Sequence, residues 1–201
     1  VRADFPLQPD DVGPQKVALR YTAEGSSLRN DMMMVMRFWA PKRQAVMSVA
    51  LYMPMGSGEL TLRSPDIMVQ PELSFAYLRA PFDRERFRDG VRLAHRLAQH
   101  ESFRTIIDTP FQPTVEDLVS DQALDEWLLR NVATVHHVCG TCKMGPASDA
   151  MAVVDQYGRV HGLNGLRVVD ASMMPDVPRA NTNVVTMMLG ERIADAIRKE
   201  R

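Results

Sequence analysis

Met32-Met33-Met34-Val35-Met36-Arg37-Phe38-Trp39 and, after a short polar link, Ala45-Val46-Met47-Ser48-Val49-Ala50-Leu51-Tyr52-Met53 form the stretch that decides the fold. Both runs are short and apolar or alternating, which is the pattern of strands. Similar runs lie on either side: Val17 to Tyr21 before, Glu59 to Arg63 and Glu72 to Leu78 after. Clusters of Gly, Pro, Ser and Asn separate them, and Gly56-Ser57-Gly58 and Ser64-Pro65-Asp66 are the clearest turns. Short strands with short links favour an antiparallel sheet, because a parallel pair needs a crossover of a dozen or more residues. The Met block at 32–36 is expected to pack in that sheet, since Met fills irregular apolar gaps.

Beyond the strands the pattern changes. Asp83 is expected to cap a helix whose apolar face carries Phe87, Val91, Ala94 and Ala98. Thr114 and Asp117 are expected to cap a short turn. Ser120 or Asp121 is expected to open a helix to Asn131, with Leu124, Trp127 and Leu128 inward. Val153 to Asp155 and Leu166 to Asp170 then read as strands, with Gly158, Gly162 and Asn164-Gly165 in the links. The last element is a helix from Thr182 to Lys199, striped by Val185, Met188, Leu189, Ile193, Ala196 and Ile197. Residues 1–16, holding Pro6, Pro9, Gly13 and Pro14, read as an irregular lead-in. The class is therefore α+β, an antiparallel sheet flanked by helices, with a change of character near residue 134.

The 201 residues, 45% hydrophobic and 24% charged, suit one or two domains with a real core. A net charge of −1 excludes an electrostatic nucleic-acid binder, which needs a surplus of Lys and Arg. No apolar run approaches the roughly 20 residues that span a bilayer, so no membrane span is expected. Val1-Arg2-Ala3-Asp4-Phe5-Pro6 has no apolar core of a signal peptide and no initiator Met. A processed piece or a later segment of a longer product is the expectation. Two cysteines make no disulfide scaffold, which is compatible with a reducing, cytoplasmic setting.

The densest chemistry lies in Thr134-Val135-His136-His137-Val138-Cys139-Gly140-Thr141-Cys142-Lys143-Met144-Gly145. Cys139 and Cys142 with His136 and His137 could hold zinc, although the ligands are crowded and structural sites usually draw a second pair from farther along the chain. A dithiol redox pair is a second reading, with a strand-like lead-in that only half fits. In the third, His137 is a catalytic base and the cysteines are small packing residues. The other dense stretch is Val168-Val169-Asp170-Ala171-Ser172-Met173-Met174-Pro175, followed by Asn181-Thr182-Asn183. It delivers polar side chains to the start of the last helix, where free N–H groups and the helix dipole suit an anionic ligand. Plain capping by Asn181 or Thr182 is the simpler alternative.

Read together, the blocks His137 to Gly145, Gly158-Arg-Val-His-Gly-Leu163, Leu166 to Ser172 with Met174-Pro175, Asn181-Thr-Asn183 and Met188 to Asp195 resemble the C-terminal part of the glucose-methanol-choline (GMC) family of flavin oxidoreductases, choline dehydrogenase-like. Gly56-Ser-Gly58, Leu62-Arg-Ser-Pro65, Pro71 and Tyr77 to Asp83 resemble the family's substrate-domain sheet and the helix after it.

The resemblance implies FAD as cofactor and a small alcohol as substrate. It implies a substrate-binding domain over 17–133, and over 134–201 a catalytic segment whose strand and helix complete a Rossmann-like flavin-binding domain. His137, picked out over His136 by its offset from Gly140-Thr141, is implied as the base that takes the hydroxyl proton. Asn181 is its implied partner on the substrate oxygen. Val138, Asp170, Ala171, Asn181, Thr182 and Asn183 are implied to touch the cofactor; no metal is implied. The helix starting at Thr182 is expected to favour negative charge on the reduced ring. His136 reads as a packing neighbour, His161 as structural, and His95 and His100 as solvated. The Gly-x-Gly-x-x-Gly turn that holds the ADP half of FAD does not occur, since Gly56-Ser-Gly58 runs into Glu-Leu-Thr. A dinucleotide-binding part on another polypeptide is therefore expected, with Val185, Met188, Leu189 and Ile193 exposed or half-covered without it. Weak FAD binding and no turnover are expected of the chain alone. The rival reading is a non-catalytic or degenerate subunit that only binds a partner.

Overall fold

A computed structural model describes residues 17–39, 44–103, 107 and 112–200. The lead-in at 1–16 lies outside the described residues. The chain forms two compact units. One holds the described residues up to Gly56 together with Ala76–Val132; the other holds Ser57–Phe75 and the chain from Ala133 onward. The hairpin region 57–75 thus groups with the later segment rather than with the strands before it.

In the first unit, β1 (Val17–Tyr21), β2 (Met32–Trp39) and β3 (Gln44–Leu51) form an antiparallel sheet in the order β1-β2-β3. Met32, Met34 and Val35 are buried in it. The expected run to Met53 stops at Leu51, because Met53 takes a left-handed φ of 55° that no ladder accommodates. The helix α1 (Pro81–Ala98) begins with Pro at its first position and has Ala80, not Asp83, as its N-cap.

Asp83 is spent elsewhere, which corrects the capping expectation. Its carboxylate accepts from the backbone N–H groups of Met55 and Gly56, at 3.0 and 2.9 Å, and from Arg86 Nη2 at 2.6 Å. Arg86 reaches on with Nη1 to Asp31 Oδ2 at 2.9 Å and to the Tyr52 carbonyl at 3.4 Å, and with Nη2 to the Met53 carbonyl at 3.1 Å. Asp31 also accepts from Ala23 N–H and the Ser26 hydroxyl. All three charged side chains are buried. The buried face of α1 is therefore led by Asp83, Arg86, Gly90 and Val91. Gly90 is the close-approach point: a Cβ there would sit 2.6 Å from Val49 Cγ1 and 3.1 Å from Met32 Cε. Gly costs about 1 kcal/mol against Ala inside a helix, and here it lets the helix lie against the sheet.

The core under α1 joins Leu78, Val91, Leu124 and Leu128, with Phe87, Leu118 and Trp127 packed against them. α2 (Val115–Leu118) opens with a capping box between Thr114 and Asp117. α3 (Asp121–Asn131) opens with Ser120 Oγ accepting from Ala123 N–H. Both caps follow the sequence.

Burial pushes the Asp31 carboxyl up, but the Ser26, Ala23 and Arg86 hydrogen bonds and the Arg86 charge outweigh it, so its pKa is lowered. A carboxyl lowered by folding adds stability above its unfolded value of about 3.9, and that stability is lost as pH falls through the folded value. Denaturant titrations below about pH 4 are expected to show the wild-type chain losing stability more steeply than Asp31→Asn. Parallel acid profiles for the two proteins would contradict this.

In the second unit β4 (Glu59–Thr61) and β5 (Glu72–Ser74) pair as an antiparallel hairpin. The expected run to Leu78 ends early because Ala76 and Leu78 have left-handed φ values of 48° and 59°. Val153 to Asp155 and Leu166 to Asp170 are not strands; they contribute only isolated bridges, Met144 with Val154, Val154 with Val160 and Arg159 with Arg167. Their β-favouring residues lack a second backbone lying alongside for more than one pair, and a ladder needs that neighbour. Nor does Thr134 to Val138 form a strand.

α4 (Thr182–Lys199) runs over the predicted span. Its stripe is partly covered by its own unit: Leu189 and Ile193 are buried with Val154, Met173 and Met174, and half-buried Val185 and Ile197 pack beside them. Met188 is the exception in the stripe, 50% exposed. Each fully buried aliphatic side chain stabilises by about 1.5–3 kcal/mol. No helix among the described residues is long and apolar enough to cross a membrane.

Candidate active site

The site grows from how one loop is held. Between residues 140 and 144 the backbone donates into the segment 171–173: Gly140 N–H to Ala171 O at 3.4 Å, Cys142 N–H to Ser172 O at 2.9 Å and Met144 N–H to Met173 O at 2.8 Å. The acceptor segment Ala171–Met173 is a single 3-10 turn capped by Asp170, whose Oδ1 accepts from Ser172 N–H at 2.8 Å. It leads through Pro175 and Pro178 into α4. The same three hydrogen bonds therefore anchor the loop that carries His137 and the run that delivers Asn181. His136, just before, has a φ of 63°, and its N–H is accepted by Thr134 Oγ1 at 3.0 Å. That left-handed residue turns the chain immediately ahead of His137; His and Asn tolerate this region better than β-branched residues do. Its side chain is exposed, so the packing role expected for it is not what this structure has.

His137 and Asn181, 44 positions apart, meet: Asn181 Nδ2 lies 2.9 Å from His137 Nε2. On the other side of the ring, His137 Nδ1 lies 3.1 Å from Thr182 Oγ1. His137 is half-buried, Thr182 is buried and Asn181 is exposed. Asn181 occupies the N-cap of α4 but makes no side-chain cap hydrogen bond. An N-cap Asn ordinarily turns its side-chain oxygen back to the helix N–H groups; here the amide is directed at an imidazole instead. The simple capping alternative is thereby displaced, and the first-turn N–H groups of α4 get no partner from Asn181.

The remaining implied residues surround this pair in varied ways. Val138 is 63% exposed, Asp170 and Asn183 are exposed, and Ala171 contributes its carbonyl to Gly140 and Met174. The link from Thr182 to His137 is one the sequence does not signal, since a Thr at the start of a helix reads as a cap. His161 Nε2 donates to Gly145 O, 3.0 Å away, a structural contact.

The cysteines behave as packing groups. Cys139 and Cys142 are free and half-buried, and Cys139 touches the Val154–Ile193 core. Burial, and then Asp176, push the Cys139 thiol up, the opposite of the lowered pKa that makes a thiol reactive. No group of three or more His, Cys, Asp or Glu side chains among the described residues is arranged to hold a metal ion.

Comparison with known proteins bears on this arrangement. A family model described as GMC oxidoreductase matches residues 54–190. The oxygen-dependent choline dehydrogenase of Cronobacter sakazakii is 43% identical over 141 residues, 70% of this chain and 25% of that protein. Oxygen-dependent choline dehydrogenase 1 of Chromohalobacter salexigens is 40% identical over 144 residues, 72% of this chain and 26% of that protein. Among solved structures, pyridoxine 4-oxidase from Mesorbium loti superposes with a TM-score of 0.82 at 24% identity, over 92% of this chain and 38% of that one. A formate oxidase of Aspergillus oryzae superposes at 0.73 with 25% identity, over 86% of this chain and 32% of that one. The chain spans about a quarter of the length of the curated relatives it matches.

Proposed function

The chain belongs to the GMC oxidoreductase family, and from that premise we propose that it carries the catalytic part of an FAD-dependent oxidoreductase acting on the CH–OH group of a small alcohol. The observation that carries the proposal is the approach of Asn181 Nδ2 to His137 Nε2 at 2.9 Å. An amide N–H and an imidazole lone pair side by side match one functional group best. A hydroxyl that displaces this direct contact accepts from Asn181 Nδ2 and donates its own proton to His137 Nε2. A carboxylate would have nothing to donate to the imidazole, and a carbonyl would leave it unused.

Chemistry follows from that seating. Turning an alcohol into a carbonyl removes a hydride from carbon and a proton from oxygen. His137 Nε2 takes the proton as general base, the role that imidazole side chains fill most often. Negative charge growing on the substrate oxygen is met by the Asn181 amide, which is already oriented for it. After the step, protonated His137 and Asn181 both donate to the product carbonyl.

FAD, when bound, supplies the acceptor for the hydride. The donor set fits such a ring. The first-turn N–H groups of α4, free of an Asn181 cap, and the amide of Asn183 suit a polar ring edge, and exposed Val138 and Val184 suit a flat apolar face. Val138, Asp170, Ala171, Asn181, Thr182 and Asn183 would hold it. On this reading residues 134–201 complete a flavin-binding domain, and residues 17–133 serve the substrate side. The dinucleotide-binding part lies on polypeptide outside these 201 residues.

Asn181→Ala in the assembled flavoprotein is expected to slow anaerobic flavin reduction by about 10²-fold, the loss typical of one transition-state hydrogen-bond donor, and to weaken flavin binding together with it. Stopped-flow absorbance and flavin fluorescence read both. An unchanged rate with an unchanged flavin spectrum would remove Asn181 from the site.

A further inference from the structure

We propose that Thr182 is a positioning residue that fixes the tautomer of His137, holding the ring proton on Nδ1 and leaving Nε2 free to accept. Donor and acceptor capacity at the three groups decides where the proton sits. With its amide nitrogen turned to the ring, Asn181 donates through Nδ2, so the Nε2 atom 2.9 Å away accepts and carries no proton. A neutral imidazole then bears its proton on Nδ1. The atom facing Nδ1 is Thr182 Oγ1 at 3.1 Å, and a hydroxyl oxygen has the lone pairs to accept. Each of the three groups is used in the one sense that satisfies the other two.

Thr182 is well placed for this work. It is the first residue of α4 and is buried, 8% exposed. Its carbonyl accepts from Thr186 Oγ1 at 2.8 Å one turn on, which ties it further into the helix. The His137 loop is tied to the approach to the same helix through Cys142, Met144 and the 171–173 turn. The hydroxyl therefore sits on the most firmly packed side of the ring, and the exposed side is left to Asn181. An acceptor on Nδ1–H fixes which nitrogen is basic and how the ring is turned, as in other sites where a second partner orients a histidine. The importance of the tautomer for catalysis rests on the proposed role of His137 as base; the tautomer itself does not.

Nitrogen-15 NMR of histidine-labelled protein, on the 201-residue chain and on its flavin-loaded assembly, tests the inference without relying on turnover. Wild type is expected to show a protonated-type Nδ1 and an unprotonated-type Nε2 for His137 in its neutral form. Thr182→Val, close in shape but lacking the hydroxyl, is expected to shift the tautomer ratio toward Nε2–H by roughly five- to tenfold, the weight of one hydrogen bond. Thr182→Ser is expected to restore the wild-type ratio. In the assembly the Val variant should slow flavin reduction by a similar factor, with substrate Kd little changed. A wild-type spectrum with the proton on Nε2, or a ratio indifferent to Thr182→Val in folded protein, would overturn the inference. The two proposals fail separately. The expected tautomer together with undiminished activity in His137→Ala would leave Thr182 in place and remove the base, whereas the wrong tautomer with an inactive His137→Ala would do the reverse.

Discussion

His137→Ala is expected to lower the rate of flavin reduction by alcohol in the assembled enzyme at least about 10²-fold, the usual weight of a positioned general base. The reason lies in the balance of the reaction. A hydride leaves an alkoxide far more readily than a neutral alcohol, so the oxygen must lose its proton before or during that departure. Among the described residues, His137 Nε2 is the acceptor standing beside the Asn181 amide. His136, its neighbour, is exposed and sits at the left-handed turn, which gives it no comparable partner in the site. Anaerobic stopped-flow separates this step from any later reaction with an oxidant. Binding of the alcohol should change much less than the rate, because Asn181 still donates to its oxygen. A variant that reduces flavin at a near-normal rate would take the base role away from His137.

The second large effect concerns stability and falls in the other unit. Arg86→Met is expected to cost about 3–5 kcal/mol, the range seen when one partner of a buried ion pair is removed. Arg86 is 1% exposed and stands between two buried carboxylates, Asp31 and Asp83. Its loss also strips a donor from the carbonyls of Tyr52 and Met53. Against a total stability of about 5–15 kcal/mol for a typical domain, this is a large fraction. Arg86→Lys should recover little, since one ammonium cannot reproduce a fork that serves two carboxylates and two carbonyls. Acid should narrow the difference. As Asp31 becomes protonated in both proteins, the wild-type pair loses its charge and the variant loses its repulsion. Denaturant midpoints at pH 7 and well below about pH 4, since folding holds the wild-type Asp31 carboxyl under the ordinary range, measure both effects. A midpoint for Arg86→Met within experimental error of wild type would show that the cluster contributes little to the fold.

Local chemistry was legible wherever the sequence carries its own boundary markers. Ser120 and the Thr114–Asp117 pair announce α3 and α2 because capping acts within four residues. The Met32–Trp39 run announces β2 because its neighbours on both sides supply partners. Asp83 shows the limit. Its position near a helix start is that of a cap, but its carboxylate serves Met55, Gly56 and Arg86, and no local pattern records a partner 28 residues away. The same holds for Leu166 to Asp170, whose valines favour strand although the segment's one bridge is made by Arg167. α4 is legible in extent, but which part of its stripe is covered is not, because the residues that bury Leu189 and Ile193, namely Val154, Met173 and Met174, come from irregular segments. The chemistry proposed for His137 and Asn181 comes from family resemblance, whereas their approach to 2.9 Å and that of Thr182 to 3.1 Å are not signalled by the residues themselves.

The most direct measurement is a crystal structure of the assembled flavoprotein with an unreactive alcohol analogue in place. A hydroxyl oxygen within about 3.2 Å of both His137 Nε2 and Asn181 Nδ2, with its carbon against the flavin, is the expected result. An analogue bound at the flavin with its oxygen out of reach of both side chains would contradict the account.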